Sequence, residues 1–212
     1  MDQNQYRLSE RLTSVRVPQR ISKQETIRSL LIIFIIGTAM GSAAKFADHV
    51  AVLGEVFTML GAWIFSASLI AAKAPNAGHA ALRVFAFFLG MLIGYYTTTV
   101  LIFGFTPAAV MLIWSMIALA SPLCGWIVWY GAGIGWFAAF CASLPIALML
   151  SEGYSFVYTF RAARGIDLLL ACVLFFVLSN RPKQRVKSIL ASALLFVLFL
   201  GTNLLSLLFG GL

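Results

Sequence analysis

The sequence predicts an all-α fold, a polytopic transmembrane helix bundle of about seven spans, with six spans as the alternative. Of its 212 residues, 61% are hydrophobic and 10% are charged, whereas soluble domains are nearer half apolar and a quarter charged. The mean hydropathy is +0.96. The apolar residues come in successive blocks, each able to cross about 30 Å of hydrocarbon, which takes roughly 20 residues.

The first segment, residues 1–27, is a basic tail that we expect in the cytoplasm. It is too long and too charged for an ordinary signal peptide, although "GTAMGSAA" (37–44) offers small residues resembling a cleavage site. We therefore interpret the first apolar block as a retained anchor. "SKQE" (Ser22 to Glu25) has capping-box spacing and predicts that a helix starts at Ser22. Residues 5–16 fit either a helix on the membrane surface or a disordered tail.

The transmembrane helical domain, residues 28–212, divides into apolar blocks bounded by charged residues, Gly and Pro. "GAGIG" (131–135) joins the fourth and fifth blocks as a tight helical hairpin, and Pro122 and Pro145 are expected to kink these two helices. The sixth block is the shortest, and in the six-span alternative it is re-entrant. The predicted spans lie near residues 28–47, 52–72, 80–103, 107–130, 133–150, 164–179 and 187–209.

Charge is distributed unequally between the two faces that seven spans define. Most of the 15 Lys and Arg residues fall on one face, and every acidic residue after Glu25 belongs to the other. The positive-inside rule places the N-terminus in the cytoplasm and the C-terminus outside, in a multi-pass protein of the cell (inner) membrane. The same rule explains the net charge of +8 without nucleic acid as a partner. The basic residues of the inner face are Arg7, Arg11, Arg16, Arg20, Lys23, Arg28, Lys73, Arg83, Arg181, Lys183, Arg185 and Lys187.

The densest basic stretch is "RPKQRVK" (181–187), which carries Arg181, Lys183, Arg185 and Lys187. It fits a stop-transfer loop between two spans. In principle it also fits a patch for nucleic acid or for anionic lipid headgroups, where each basic residue near an anionic leaflet gains about 1 kcal/mol.

The end of the first span carries a row of small residues that runs into charge. Gly37, Gly41, Lys45 and Asp48 follow one another at helical spacing and share a face. Such rows let membrane helices approach closely, so the glycines predict a packing face. A second row, formed by the alanines at 39, 43 and 47, is expected beside it, which makes Ala39 and Ala43 helix-packing residues as well. We expect Lys45 to point into the bundle, paired with Asp48 or with a carboxylate on another span.

Further polar residues converge on the outer face, and two interpretations remain open for them. Near-balanced charge at the mouth of a bundle fits a site for a polar solute. It also fits a network that ties helix ends together, in which Asp167 simply favours the N-terminus of its helix. The candidate solute-binding or helix-pairing residues are Lys45, Asp48, Glu55, Tyr95, Glu152, Arg161, Arg164, Asp167 and Asn203.

The sequence contains no motif for catalysis, for a metal or for a cofactor. The three cysteines are far apart, without CxxC spacing, and the two histidines, His49 and His79, are assigned to opposite faces. No nucleophile elbow and no phosphate-binding glycine loop occurs. We expect a protein that is not an enzyme.

Three segments carry a resemblance to a known family: "GTAMGSAAKFADH" (37–49), "NAGHAALRVFAFFLGMLIGYY" (76–96) and "SPLCGWIVW" (121–129). The chain resembles a family of small, uncharacterised bacterial integral membrane proteins, a domain of unknown function with G-x-x-x-G-x-x-x-K-x-x-D in the first span. The resemblance implies the bacterial inner membrane and brings no activity or ligand residues. A weaker resemblance is to the substrate-binding membrane subunits of vitamin transporters, which also have a small-residue row in the first helix.

Two functions from different classes follow from these observations. The outer mouth could bind or transport a small polar or charged solute. Alternatively, the chain is a structural or interaction protein of the lipid bilayer, whose outer charges fix helix packing and whose basic inner face binds anionic lipids or a partner membrane protein.

Overall fold

The computed structural model describes residues 16–104, 108–179 and 181–202, and the regular structure in these ranges is entirely helical. The all-α class is therefore confirmed. The first 15 residues, the end of the predicted seventh span and Asn203 lie outside the described residues. The helices are α1 (Lys23–Ala47), α2 (Ala51–Thr58), α3 (Gly61–Ala72), α4 (Ala77–Phe103), α5 (Ala108–Gly131), α6 (Trp136–Gly153), α7 (Phe156–Thr159), α8 (Ala162–Leu178) and α9 (Pro182–Gly201).

Five helical segments in the described part of the chain are long and apolar enough to cross a membrane, and a bent pair makes six if it counts as one span. They are α1, α4, α5, α6 continued through α7, and α9, and the bent pair is α2 with α3. A multi-pass membrane bundle is thus confirmed, but seven spans are not. The predicted second span, 52–72, bends by 58° at its break. The predicted sixth corresponds to α8, whose 17 residues extend about 26 Å, less than a hydrocarbon layer of about 30 Å.

Local sequence signals explain where several helices begin. The predicted capping box is present before α1, since the backbone N–H of Glu25 donates to Ser22 Oγ at 3.2 Å and that of Ser22 donates to Glu25 Oε2 at 3.0 Å. Asn76 caps α4 with a single bond of this kind, its side-chain oxygen accepting from the backbone N–H of His79 at 2.9 Å. Pro182 occupies the first turn of α9, where its missing N–H costs nothing.

The helices α1 and α4 pack backbone against backbone. A Cβ atom added to Gly37 or Gly41 would overlap the carbonyl oxygens of Phe87 and Met91 on α4, and Gly90 and Gly94 lie equally close to the backbone of α1. Four glycines therefore set this interface, two from each helix.

The predicted second row of small residues does not pack against another described helix of this chain. Ala39 and Ala43 are exposed, and Ala44 is the buried alanine of this helix end. Residues two apart on a helix are about 200° apart around its axis, so Ala39 lies opposite Gly37 and faces away from α4.

Aromatic side chains fill the middle of the bundle, while large apolar side chains cover its outside. Trp63, Phe87 and Trp129 are fully buried, and the ring of Trp63 contacts that of Phe87 at a centroid distance of 6.2 Å. Leu101 and Leu119 are among the many exposed aliphatic residues. A surface this apolar is suited to lipid rather than to water.

Polar contacts gather at two opposite groups of helix ends. The first, called here the Arg16 end, comprises residues 16–19, 74–76, 129–135, 179 and 181–185. Here Arg16 donates to the carbonyls of Ala74 and Trp129, at 3.2 and 3.3 Å, and Gln184 bonds to both the N–H and the C=O of Gly135, each at 3.0 Å. The second, called the Asp167 end, comprises residues 45–61, 95, 152 and 161–167. Helix α8 runs from the Asp167 end to the Arg16 end, since it begins beside Arg161 and ends beside Ser179.

Candidate functional site

The site is built around the break between α2 and α3. The two helices are separated by Met59 and Leu60 and meet at 58°. The indole N–H of Trp63 donates to the carbonyl of Phe57 at 2.8 Å, which satisfies one of the carbonyls left without a helical partner at the end of α2. The bend is therefore held by a specific hydrogen bond.

Glu152 binds the start of α3. The backbone N–H of Leu60 donates to Glu152 Oε1 at 3.0 Å. A carboxylate in this position satisfies a backbone donor and interacts favourably with the positive end of the helix dipole. Glu152 comes from the end of α6, so it links two helices that are distant in sequence.

Asp167 lies beside the same helix start and is completely buried, with 0% of its surface exposed. Its carboxylate packs against Gly61, where a Cβ atom would overlap Oδ1. Within the described part of the chain, neither carboxylate oxygen has a hydrogen-bond partner. A buried polar group without a partner is costly, so this residue requires an explanation.

Arg164 is the cation nearest to this pair of carboxyl groups. Its Nη1 donates to the backbone carbonyl of Glu152 at 3.0 Å and lies 4.0 Å from Glu152 Oε1. Arg164 therefore interacts directly with Glu152. It attracts the Asp167 carboxylate electrostatically but makes no hydrogen bond to it.

Glu55 and Arg161 form a second ion pair at this end, with Nη1 3.2 Å from Oε1. The Arg161 side chain is 66% exposed. An exposed pair of this kind contributes at most about 1 kcal/mol to stability, so it joins α2 to the start of α8 only weakly.

Lys45, Asp48 and Tyr95 form a third group, as the helical spacing predicts for the first two. Lys45 Nζ lies 2.7 Å from Asp48 Oδ2, the Tyr95 hydroxyl donates to the same oxygen at 3.3 Å, and Nζ lies 5.1 Å from the centroid of the Tyr95 ring. The lysine and aspartate side chains are only 12% and 24% exposed. This triad joins α1 to α4.

The basic residues proposed for anionic lipid divide into two kinds. Arg185 and Lys187 lie over the rings of Phe176 and Trp136, at 5.1 and 5.7 Å, and Arg185 Nε also donates to the carbonyl of Ser179 at 3.0 Å. Arg181 and Lys183 are exposed.

Sequence reasoning missed three features of the molecule. The break at Met59 and Leu60 lies in a continuous apolar run, in which Gly61 is the one weak signal. Gln184, buried between Arg181 and Arg185, looks in sequence like part of a solvated basic loop. Arg16 anchors the tail by backbone carbonyls and by the ring of Trp129, at 4.9 Å from its centroid, and no pattern in the sequence indicates these partners.

The described residues contain no group of three or more His, Cys, Asp or Glu side chains arranged to hold a metal ion. Cys124 and Cys172 are exposed and Cys141 is buried, all as thiols.

The chain matches no protein-family model, no curated protein and no solved structure.

Proposed function

We propose that this chain is a seven-span protein of the bacterial inner membrane that binds or transports a small polar or charged solute at the Asp167 end of its bundle. The N-terminus lies in the cytoplasm and the C-terminus outside. No catalytic residue, cofactor or nucleic-acid partner forms part of the proposal.

The topology is supported by the way the polar contacts separate. The tail, the loop before α4, the turn before α6 and the start of α9 all meet at the Arg16 end. These are the segments in which the Lys and Arg residues concentrate, and the positive-inside rule assigns such segments to the cytoplasm. Helix α8 is short but connects the two ends, and in this proposal it is the seventh crossing.

The observation that carries the solute-binding proposal is the broken helix with two carboxyl groups at its break. Many transporters bind solutes and coupling ions where a discontinuous membrane helix exposes its half-helix ends. Here Glu152 bonds to Leu60 and the buried Asp167 packs against Gly61. Ionisable side chains inside a membrane bundle are costly, and they mark solute or ion pathways.

A structural role is the second candidate, and the ion pairs favour it. Lys45 with Asp48, Arg161 with Glu55 and Arg164 with Glu152 each join charges at the Asp167 end. In this alternative the charges only fix helix packing, and the exposed Arg181 and Lys183 bind anionic lipids or a partner membrane protein. Asp167 is the residue that this role leaves unexplained, because it lies beyond the first turn of α8, which contains no acidic residue, and so does not favour the N-terminus of its helix as the sequence suggests.

A thermal-stability screen of the purified full-length protein tests the proposal. Inorganic ions, amino acids, vitamins and anionic lipids are each added in excess, because a ligand of the native state at a hundredfold excess over its Kd adds about 2.7 kcal/mol. We expect a solute that raises the Tm of the wild type and of Lys45→Met but not of Glu152→Gln. If anionic lipid alone raises the Tm, and equally in all three proteins, the structural role is correct instead.

A further inference from the structure

We propose that the Asp167 carboxylate binds one small positive charge, a proton or an alkali-metal cation, at the break between α2 and α3. This inference rests on the proposed function, because it names the ion that the same site takes.

The charges at the Asp167 end do not balance. The described residues bring four carboxyl groups there, from Asp48, Glu55, Glu152 and Asp167, and three permanent cations, from Lys45, Arg161 and Arg164. Three ion pairs account for six of these groups. Four minus three leaves one negative charge, and it falls on the most deeply buried acid, Asp167.

A rearrangement of these side chains does not remove this deficit, and His49, the one further basic residue in the ranges that define this end, is exposed. If Arg164 turned to Asp167, it would leave Glu152 with the hydrogen bond from Leu60 and without its neighbouring cation. Either way one carboxyl group lacks a counter-charge. Removing an isolated carboxylate from water costs many kcal/mol, so such groups are neutralised. The positive charge that neutralises this carboxyl group therefore comes from outside the described side chains.

The surroundings of Asp167 favour a small ion. From α3, Gly61 lies so close that a single added methyl group would overlap the carboxylate, and α3 contains no ionisable side chain. From α6 and α2, Glu152 and Glu55 add negative charge. From α7, Tyr158 is largely exposed. This close contact leaves no room for an organic cation beside Gly61 and favours a proton or a bare alkali cation.

Infrared spectroscopy of the full-length protein in detergent tests the proton. At neutral pH, with N-methylglucamine as the sole buffer cation, we expect the C=O stretching band of a protonated carboxylic acid in the wild type. The band should disappear in Asp167→Asn, which keeps the shape of the side chain, and remain in the control variant Asp48→Asn. If Asp167→Asn does not fold, aspartate labelled with carbon-13 in the wild-type protein should shift the band and identify it as an aspartic acid.

A thermal melt tests the cation. NaCl or KCl replaces N-methylglucamine chloride at constant ionic strength, and we expect a rise in Tm for the wild type and for Asp48→Asn, but not for Asp167→Asn. Either the band or the rise supports the inference and identifies the ion. The inference is overturned if the wild type shows neither the infrared band nor the rise in Tm. It is also overturned if the signal seen in the wild type persists in Asp167→Asn.

The two proposals fail separately. A solute that binds in the stability screen while Asp167 takes neither proton nor cation leaves the proposed function standing and overturns the inference. If Asp167 takes a proton or a cation but no solute binds in the screen, the inference stands and the proposed function is overturned.

Discussion

In two regions of this molecule a glycine allows another group to lie against a helix backbone, but the group differs between the two regions. Between α1 and α4, Gly37, Gly41, Gly90 and Gly94 admit the backbone of the facing helix. Between α3 and α8, Gly61 admits a carboxylate. The first contact consists of ordinary helix packing, since the glycines bring two apolar surfaces together. The contact at Gly61 instead places a charged side chain against the helix backbone, and helix packing alone does not require a charge there.

The largest effect is expected at the backbone contact. Gly41→Leu would force a side chain into the carbonyl of Met91, and overpacking of this kind costs about 3 kcal/mol or more where backbone must move. Ala43→Leu is the matched control, because Ala43 is exposed and its change should stay within about 0.5 kcal/mol. Thermal melts of both variants measure the difference, and equal losses would place the interface elsewhere.

A smaller effect is expected at Gly61. Gly61→Ala should lower the free energy of unfolding by about 1–3 kcal/mol, because its methyl group overlaps the Asp167 carboxylate. In the double variant with Asp167→Ala most of this loss should be recovered, and a double-mutant cycle measures the coupling. Additive losses would mean that the two residues do not touch.

Lys45→Met should cost about 1–2 kcal/mol, since it leaves the partly buried Asp48 with the Tyr95 hydroxyl but without its cation. Chemical or thermal unfolding in detergent measures the loss. Adding Asp48→Asn to Lys45→Met should restore part of the stability, and a further loss in the double variant would contradict the pairing.

The smallest effect is expected for Arg161→Gln. Its ion pair with Glu55 is largely exposed, so the loss should be at most about 1 kcal/mol and should shrink as salt is added. A melt at low and high ionic strength measures both. A loss that is large and independent of salt would mean that this pair is buried in the membrane-embedded protein.

The helices were predictable because they follow from local and periodic signals. Ser22 and Glu25 are three residues apart, and the glycines at 37 and 41 are one helical turn apart, so the start of α1 and its packing face can be inferred without tertiary knowledge. Ala39 and Ala43 have the same four-residue spacing, but they lie about 200° around the helix from Gly37 and Gly41 and so do not share the packing face.

The candidate site was predictable in location but not in pairing. The order of the apolar spans predicts that the acids and bases of the Asp167 end lie on one face. No pattern in the sequence predicts that Arg164 pairs with Glu152 while Asp167 has no hydrogen-bond partner among the described residues. That outcome depends on how α6 and α8 pack. The break between α2 and α3 was missed for a related reason, because hydropathy is continuous through Met59 and Leu60 and the bend is held by Trp63 and Glu152 from outside the break.

The most direct test compares the free energies of unfolding of Asp167→Asn and Asp48→Asn at neutral pH. Asp48→Asn should lose stability, because Lys45 loses its counter-charge. In a buffer whose sole cation is N-methylglucamine, Asp167→Asn should be at least as stable as the wild type, because a neutral amide replaces a buried carboxyl group that no described group pairs with. If Asp167→Asn is destabilised as much as Asp48→Asn, the chain itself supplies a cationic partner for Asp167, and the account of this end as an ion-binding site is wrong.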